Sequence, residues 1–399
     1  MGTHRHARGI PSGVADVMIR VAYGTPLPHG GGALNYLVDL VEHHDRSKVH
    51  AVVYLDERLR NAGDALARLA RADVEVRRGP MSAPLDQFLR AGWWEQELRA
   101  RGPFDVANLH QHVPGVGRAF LEGARRAGTR ILVRTEQLPR FPPHQRPSLN
   151  VRRLALRIAR TRLATITDYR VAVSDAGRMA LVARGEPKAT ISVIPTAFRE
   201  ASFTSLPSRA EARARLGIVS DAPVVGFLAS LTEQKRPDLF LDAAERILTE
   251  GRRAVFVLGG SGPWATRIRT RAAALAPHVI DIGHRTDVPS VLAALDVFVL
   301  PSMWEGMPLT VLEAMRAGVA VVASDADGTA EVVMDGQTGR LVPKGDGDAL
   351  TSAIRDLIDD ADTRRRLAAA GAAFVTGRFD AVSLARRTEA MYESFGVGG

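Results

Sequence analysis

The sequence predicts an α/β protein with two doubly wound domains, each built on a parallel sheet with helices on its faces. Short apolar segments alternate with amphipathic helical segments along most of the chain, which is typical of repeated β–α–β units. The length of 399 residues fits two or three domains of ordinary size. Because ligands bind at the carboxyl ends of strands in such sheets, we expect the functional residues in the loops that follow strands.

The composition is that of a globular protein and excludes several functional classes. Hydrophobic residues make up 46% of the chain, but no apolar segment approaches the roughly 18 residues of a membrane span. There is no cysteine, so disulfides and thiolate chemistry are excluded and a cytoplasmic location is expected. The net charge is +9, but no aromatic residues are interleaved with the arginines, which argues against nucleic-acid binding.

Residues 1–16 are polar and basic, and they lack the apolar core of a signal peptide. We therefore expect a flexible tail. His4 and His6 have side chains that can bind a metal, yet a solvated tail explains them as well.

The first domain is predicted to span residues 17–200. A glycine-rich loop leads from its first strand, Val17–Tyr23, into a helix that begins near Ala33. Further strands are predicted at Ala51–Leu55, Val74–Arg78, Val106–His110, Ile131–Val133, Tyr169–Ser174 and Ile191–Ile194, and helices at Glu57–Ala72, Leu85–Ala100, Arg152–Thr165 and Asp175–Arg184. The basic face of the helix at 152–165 is either a surface for an anionic acceptor or lipid headgroups, or a solvated face of a helix packed on the core.

The second domain is predicted to span residues 201–378, with its first strand at Val224. Its other strands are predicted at Ala254–Leu258, Val279–Ile282, Val297–Leu300 and Val319–Ala323, and its last helices at Asp346–Ile358 and Asp362–Phe374. Residues 379–399 contain one more helix, Ala381–Ser394.

The segment after Val297–Leu300 has the features of a phosphate and sugar site. A loop with Glu305 and Gly306 leads to Pro308, which we expect to open a helix, where a missing N–H group costs nothing. The start of that helix offers free N–H groups and a positive dipole end to a phosphate. Glu305 and Glu313 lie eight positions apart, one in the loop and one in the helix. An isolated pair of this spacing would be two solvated acids, but the strand–loop–helix frame favours contacts with sugar hydroxyls.

Three other patterns are candidates for chemistry. Gly31 and Gly32 precede a helix directly after a strand and form a plausible phosphate cradle. His110 and His112 follow another strand, but the sequence shows no third metal ligand nearby. The Asp325-Ala326-Asp327 triplet resembles a metal-binding D-x-D, although its position indicates a turn with a helix cap. We therefore expect no metal.

The region from Pro301 to Pro343 resembles family 4 of the glycosyltransferases, retaining enzymes of the GT-B fold. The matching residues are Pro301-Ser302, Glu305-Gly306, Pro308, Leu312-Glu313-Ala314, Gly318 and the segment Glu331 to Pro343. The resemblance implies that Glu305 contacts the donor sugar and Glu313 the ribose. It also implies donor contacts from Gly306, Met307, Pro308 and Leu309.

The resemblance extends over most of the chain from Val17 onward. It implies that the loop with Gly31 and Gly32 approaches the donor phosphates, and that His112 lies near the donor sugar, although a structural histidine remains an alternative. Other implied positions are Lys235 on the diphosphate, Gly283 and Arg285 near the base, and Glu136 and Gln137 on the acceptor side. The family has an arginine where this chain has Ser230, and Arg236 is the candidate to compensate.

The implied function is retaining transfer of a glycosyl group from a nucleotide sugar to an acceptor hydroxyl, with UDP as the expected nucleotide. The first domain would bind the acceptor (a glycan, a lipid-linked molecule or a natural product), the second the donor, and the last helix would cross back onto the first domain. No cofactor or metal is expected. A peripheral contact with the membrane face is compatible with a lipid acceptor. A UDP-sugar 2-epimerase and a non-catalytic sugar-nucleotide binding protein are the alternatives.

Overall fold

The structure is a computed structural model that describes residues 18–27, 32–60, 62–81, 90–111, 116–138, 161 and 163–397. The predicted tail, Gly31, His112 and most of the basic helix at 152–165 lie outside the described residues. Within them the chain forms two parallel sheets with helices, as the sequence predicts. None of the helices in the described part of the chain combines the length and the apolar character that a membrane span needs.

The first sheet holds seven strands within the described residues, in the order β3-β2-β1-β4-β5-β6-β7. The strands are β1 (Ile19–Thr25), β2 (Val49–Asp56), β3 (Glu75–Gly79), β4 (Val106–Gln111), β5 (Ile131–Glu136), β6 (Tyr169–Ala172) and β7 (Ile191–Val193). The helices beside them are α1 (Gly32–Glu42), α2 (Gly63–Arg71), α3 (Ala91–Arg101), α4 (Arg118–Arg126) and α5 (Asp175–Ala183).

The second sheet holds six strands in the described part of the chain, in the order β10-β9-β8-β11-β12-β13. The strands are β8 (Val224–Leu228), β9 (Val255–Gly259), β10 (Val279–Gly283), β11 (Val297–Leu300), β12 (Ala320–Ser324) and β13 (Arg340–Val342). The helices are α6 (Arg209–Arg215), α7 (Pro237–Thr249), α8 (Ala265–Ala274), α9 (Val288–Leu292), α10 (Leu309–Arg316), α11 (Gly347–Asp359) and α12 (Ala361–Val375).

The central strands are covered on both faces, as expected for parallel sheets. Every residue of β8, β11 and β12 is buried. At Gly226 in β8 the packing is close, because a Cβ atom there would lie 2.3 Å from the Leu295 side chain. The apolar runs that predicted these strands are therefore the core of the second domain.

The last helix, α13 (Ala381–Glu393), packs on the first domain, as the fold class predicts. The Asn108 side chain donates to the Tyr392 hydroxyl at 2.8 Å, and the Tyr392 hydroxyl donates to that of Tyr23 at 3.1 Å. Glu389 lies 2.9 Å from His44 Nδ1 of the first domain. These buried contacts hold the last helix on the first domain, although almost two hundred residues of the second domain lie between them in the sequence.

The two segments that connect the domains are hydrogen-bonded to each other. The N–H of Phe198 donates to the Phe379 carbonyl at 2.8 Å, and the N–H of Ala381 donates to the Phe198 carbonyl at 3.1 Å. Both phenylalanines are buried in an apolar cluster that continues from one domain into the other. The two crossings are therefore joined to each other and form a single connection between the domains.

Two local predictions need correction. Pro308 precedes α10 as its N-cap residue, with an extended backbone, and is not the first helical residue. The Asp325-Ala326-Asp327 triplet leads into a short 3-10 helix, Asp327–Glu331, whose N-cap is Ala326 and which has no side-chain cap. In the part of the chain that the structure describes, no three metal-ligating side chains come together there or elsewhere.

Candidate active site

The cleft between the domains lies where each sheet reverses its strand order. In the first sheet the order reverses between β1 and β4, and in the second between β8 and β11. Helices on opposite faces leave an open crevice at such a point, beside the carboxyl ends of the two strands. The loops after these strands meet across the cleft, so the topology alone brings the segment after β1 near the loop that carries Glu305.

A cavity of about 870 Å³ fills this cleft. That volume is in the range of sites that enclose a cofactor-sized ligand. The residues predicted to contact a donor that do line it are Gly32, Ser230, Lys235, Arg285, Glu305, Gly306, Met307, Pro308, Leu309 and Glu313. Gln137, which was predicted on the acceptor side, lines it as well. The structure thus brings together residues that are separated by up to 281 positions in the sequence, from Gly32 to Glu313.

The centre of the cavity wall is an ion pair between Lys235 and Glu305. Lys235 Nζ lies 2.5 Å from Glu305 Oε1, and the carboxylate is almost completely buried. The two loops are also joined through their backbones, because the Met303 N–H donates to the Gln234 carbonyl and the Gln234 side chain donates to the Trp304 carbonyl, both at 2.8 Å. A lysine and a carboxylate are thereby held at the same point of the cavity.

The start of α10 supplies backbone donors to the same cavity. Leu309 and Thr310 are the first residues of the helix, and helix geometry leaves their N–H groups without carbonyl partners inside it. Both residues line the cavity. With the positive end of the helix dipole directed there, this edge of the cavity suits a phosphate group.

Glu313 lies one turn further along α10 and faces the cavity. Burial, and secondly the negative charge of Asp39 in α1, raises the pKa of the Glu313 carboxyl to about 8. The cavity therefore contains two carboxyl groups of different character. Glu305 is paired with a lysine, while Glu313 has an environment that favours its protonated form near neutral pH.

The far end of the cavity is made of turns after β8, β9 and β10. The glycine-rich turn Gly259–Ser261 packs against the loop after β8. The two backbones are so close that a Cβ atom at Gly260 would lie 1.9 Å from the Ala229 carbonyl oxygen. Arg285 also lines the cavity, with its guanidinium on the Asp287 carboxylate at 2.6 and 2.8 Å. The neighbouring His284 lines the cavity, whereas the predicted Gly283 does not.

Arg236, the candidate to compensate for the arginine expected at Ser230, lies outside the cavity lining and is paired with an acid. Its Nε and Nη2 atoms each donate to the Asp238 carboxylate at 2.9 Å, and its residue is not part of the cavity lining. The backbone at Arg236 is left-handed, with φ of 49°, where the chain enters α7. Ser230 itself lines the cavity, so the positive side chains there are Lys235 and Arg285.

The described first-domain wall carries no ionised side chain. Ala33, Asn35, Val116 and Leu138 lie there with Gln137, whose amide donates to the Ala33 carbonyl at 3.3 Å. The sequence analysis did not predict Asn35 as a site residue. Its position in the first turn of a helix after a glycine-rich loop could have indicated it.

Glu136 does not face the cavity, contrary to the acceptor role expected from the sequence. It ends β5, is buried, and lies 2.7 Å from Arg184 Nη2 and 2.9 Å from Arg134 Nε. The strand is longer than the predicted Ile131–Val133, and this extension carries Glu136 into the domain interior. Gln137 is then the first side chain of that loop to reach the cleft.

His110 is a core residue. Its ring packs between those of Tyr23 and Tyr36, with centroids 5.6 and 5.5 Å away. Burial, and secondly the nearby His44, lowers its pKa to about 3, so the ring is neutral.

Comparison with known proteins identifies the family of the second domain. Residues 208–374 match the family described as Glycosyl transferases group 1. The chain is 34% identical over 243 residues to a 2-deoxystreptamine N-acetyl-D-glucosaminyltransferase of Streptomyces fradiae, covering 59% of this chain and 56% of that protein. It is 28% identical over 358 residues to a GDP-mannose-dependent alpha-(1-6)-phosphatidylinositol monomannoside mannosyltransferase of Mycolicibacterium smegmatis, covering 87% and 90%.

The extent of these matches varies. The chain spans 56%, 65% and 46% of the length of three curated relatives, a glucosaminyltransferase, a mannosyltransferase and a galactosyltransferase. Among solved structures, HepE of Anabaena in complex with UDP is similar with a TM-score of 0.77 and 22% identity, covering 94% of this chain and all of that one. A sucrose-phosphate synthase of Thermosynechococcus elongatus is similar with a TM-score of 0.75 and 20% identity. The match covers 95% of this chain and 99% of that one. These structural likenesses confirm the two-domain fold.

Proposed function

We propose that this chain, whose residues 208–374 match the glycosyl transferases group 1 family, transfers a sugar from a nucleotide-sugar donor to an acceptor hydroxyl. The observation that carries the proposal is the Lys235–Glu305 pair at the centre of an interdomain cavity of about 870 Å³, directly beside the start of α10. The positive charge of Lys235 suits a phosphate, and the carboxylate of Glu305 suits a sugar hydroxyl. The start of α10, with its free N–H groups, lies beside both.

The proposed donor position follows from the distribution of charge. The diphosphate would lie between Lys235 and the N–H groups of Leu309 and Thr310, because all three residues line the cavity and a positive charge beside a helix start favours an anion. Glu305 would accept hydrogen bonds from the transferred sugar, and Glu313 would contact the ribose. The base would lie by the turns at 259–261 and 284–285.

We assign the reaction to the retaining class, with front-face attack. The acceptor oxygen forms a bond to the anomeric carbon while the bond from that carbon to the phosphate oxygen breaks, and the hydroxyl proton passes to the departing phosphate. Stabilising the negative charge on that phosphate is the main task of the protein in such a step. We propose that Lys235 and the start of α10 stabilise this charge, and that no metal ion is needed.

The names of the relatives support a choice of donor and acceptor classes. They include transferases of N-acetylglucosamine and mannose, and acceptors that are an aminocyclitol and a lipid. UDP is the nucleotide present in the HepE complex, whereas one relative is named as GDP-mannose-dependent. We propose a UDP-sugar donor and a hydroxyl acceptor on a glycan, lipid-linked molecule or natural product.

The test is a donor panel of UDP-, GDP- and dTDP-sugars, each measured in EDTA without acceptor and then with cell extract as the acceptor source. We expect nucleotide release that requires extract and persists in EDTA, and that Glu305→Gln abolishes. Epimerisation of a UDP-sugar without extract would move the chain to the isomerases. Binding without any product would leave a sugar-nucleotide binding protein, and loss of release in EDTA would overturn the metal-free assignment.

A further inference from the structure

The two domains touch beside the active site through backbone that has no side chain. A Cβ atom at Gly306, in the donor loop, would lie 1.8 Å from the Gln137 carbonyl oxygen and 3.0 Å from the Val173 side chain, both in the first domain. A Cβ atom at Gly328 would lie 1.8 Å from the Gly306 carbonyl oxygen and 2.9 Å from Ser174 Cβ. The contact is therefore closer than any residue other than glycine allows.

Glu331 joins the domains at the same place. Its Oε2 accepts the Asp175 N–H at 2.9 Å and its Oε1 accepts the Ala176 N–H at 2.8 Å, across the interface from the second domain to the first. Asp175 and Ala176 are the first two residues of α5, and the third N–H, that of Gly177, is capped by Ser174 Oγ at 3.0 Å. One of the first three N–H groups of α5 is thus capped from within the first domain, and the other two are capped by a carboxylate of the second domain.

This arrangement is favourable only when the domains are closed. A carboxylate at a helix start gains from the helix dipole and from two charge-assisted hydrogen bonds. When the domains separate, the two N–H groups and the carboxylate must be solvated again. The connection at Phe198 and Phe379 is a separate contact between the domains, so loss of the Glu331 contact would leave the cleft free to open about it.

We infer that Glu331 is a positioning residue, which holds the donor loop against the first domain so that Glu305 and the acceptor side come together. It does not line the cavity. Its effect passes through Gly306, which follows Glu305 and lies against Gln137. The inference rests on the proposed function for its effect on turnover, but not for its effect on the distance between the domains.

The experiment measures both effects on the same proteins. Because the chain has no cysteine, spin labels can be attached at Met179→Cys in α5 and Gln337→Cys in the second domain, both exposed positions. The distance distribution is recorded by pulsed electron resonance with and without UDP. We expect Glu331→Ala to shift it to longer distances and Glu331→Gln, which keeps one acceptor oxygen, to shift it less.

On turnover, we expect Glu331→Ala to lower kcat by about 10² while the KM for the donor stays within about threefold, because misplacement of about 1 Å has a cost of that order. Gly306→Ala places a methyl group between the domains and should lengthen the distance in the same way. The matched control is Asp360→Ala, since Asp360 also accepts two N–H groups at a helix start, those of Asp362 and Thr363, but within one domain. It should change neither quantity.

Each outcome decides the inference. An unchanged distance distribution in Glu331→Ala overturns it, and so does a longer distance with wild-type kcat. If the wild type transfers no sugar from any donor, the proposed function fails, while the distance measurement still decides whether Glu331 holds the domains together. If Asp360→Ala loses as much kcat as Glu331→Ala does, the loss reflects general destabilisation, and this outcome would also overturn the inference.

Discussion

On the second domain's side of the cleft, Lys235, Glu305 and Glu313 bring ionisable side chains to the cavity, whereas the described part of the first domain's side brings Asn35, Gln137 and apolar residues. The charges of the first domain are nearby but directed inward. Glu136, one residue before Gln137, is bound to arginines in the interior. Under the proposed function, the second domain would supply the electrostatics of the reaction, and the first would supply the shape and the hydrogen bonds that select an acceptor.

The largest expected effect is on the charged side of the cleft. Lys235→Ala should lower kcat by about 10² to 10³, because removing one preformed partner of the developing charge costs that much in comparable sites. Donor binding should weaken as well. Steady-state kinetics with the donor from the panel measures both quantities. Lys188→Ala, an exposed lysine outside the cavity, is the control, and equal losses in the two variants would refute the assignment.

A smaller effect is expected on the uncharged side. Gln137→Ala should raise the KM for the acceptor by about tenfold and leave the KM for the donor unchanged, because one hydrogen bond contributes about 0.5–1.5 kcal/mol. Varying donor and acceptor separately distinguishes the two constants. A rise confined to the donor KM would show that the first domain's side of the cleft does not bind the acceptor as proposed.

The environment of Glu313 leads to a prediction on stability. Its pKa is raised to about 8 in the folded protein, so the folded state binds this proton more tightly than the unfolded state does. The contribution is fully present below the unfolded pKa of about 4.3 and is lost as the pH rises towards 8, with a slope of at most about 1.4 kcal/mol per pH unit.

Urea unfolding at pH 5, 6, 7 and 8 tests this prediction. The free energy of unfolding of the wild type should fall relative to that of Glu313→Gln as the pH rises, because glutamine does not titrate. A difference between the two proteins that stays constant from pH 5 to 8 would show that Glu313 has an ordinary pKa.

The smallest expected effect separates two adjacent basic residues. Arg236→Ala should change kcat and the donor KM by less than about threefold, because its guanidinium is bound to Asp238 and lies outside the cavity. A loss comparable to that of Lys235→Ala would restore the sequence-based hypothesis that Arg236 compensates for Ser230.

Much of the fold was predictable because it depends on local patterns. The strand Val297–Leu300 agrees with its prediction at both ends, and the helices differ mainly in their first and last turns. The second-domain side of the site was predictable for the same reason, since Glu305, Gly306 and Glu313 belong to one continuous β–loop–α segment. The positions of Gly31 and His112 stay predictions, because both lie outside the described residues.

The sequence by itself determined the alternation of strands and helices, the two domains, and the segment that carries Glu305 and Glu313, because each depends on neighbours within a few residues. Only the tertiary structure decided which charges meet. Glu136 pairs with Arg184, 48 residues away, and Glu331 caps a helix that begins 156 residues earlier. The partner of an ionised side chain depends on burial and on approach to within about 4 Å, and neither follows from the order of residues in the chain.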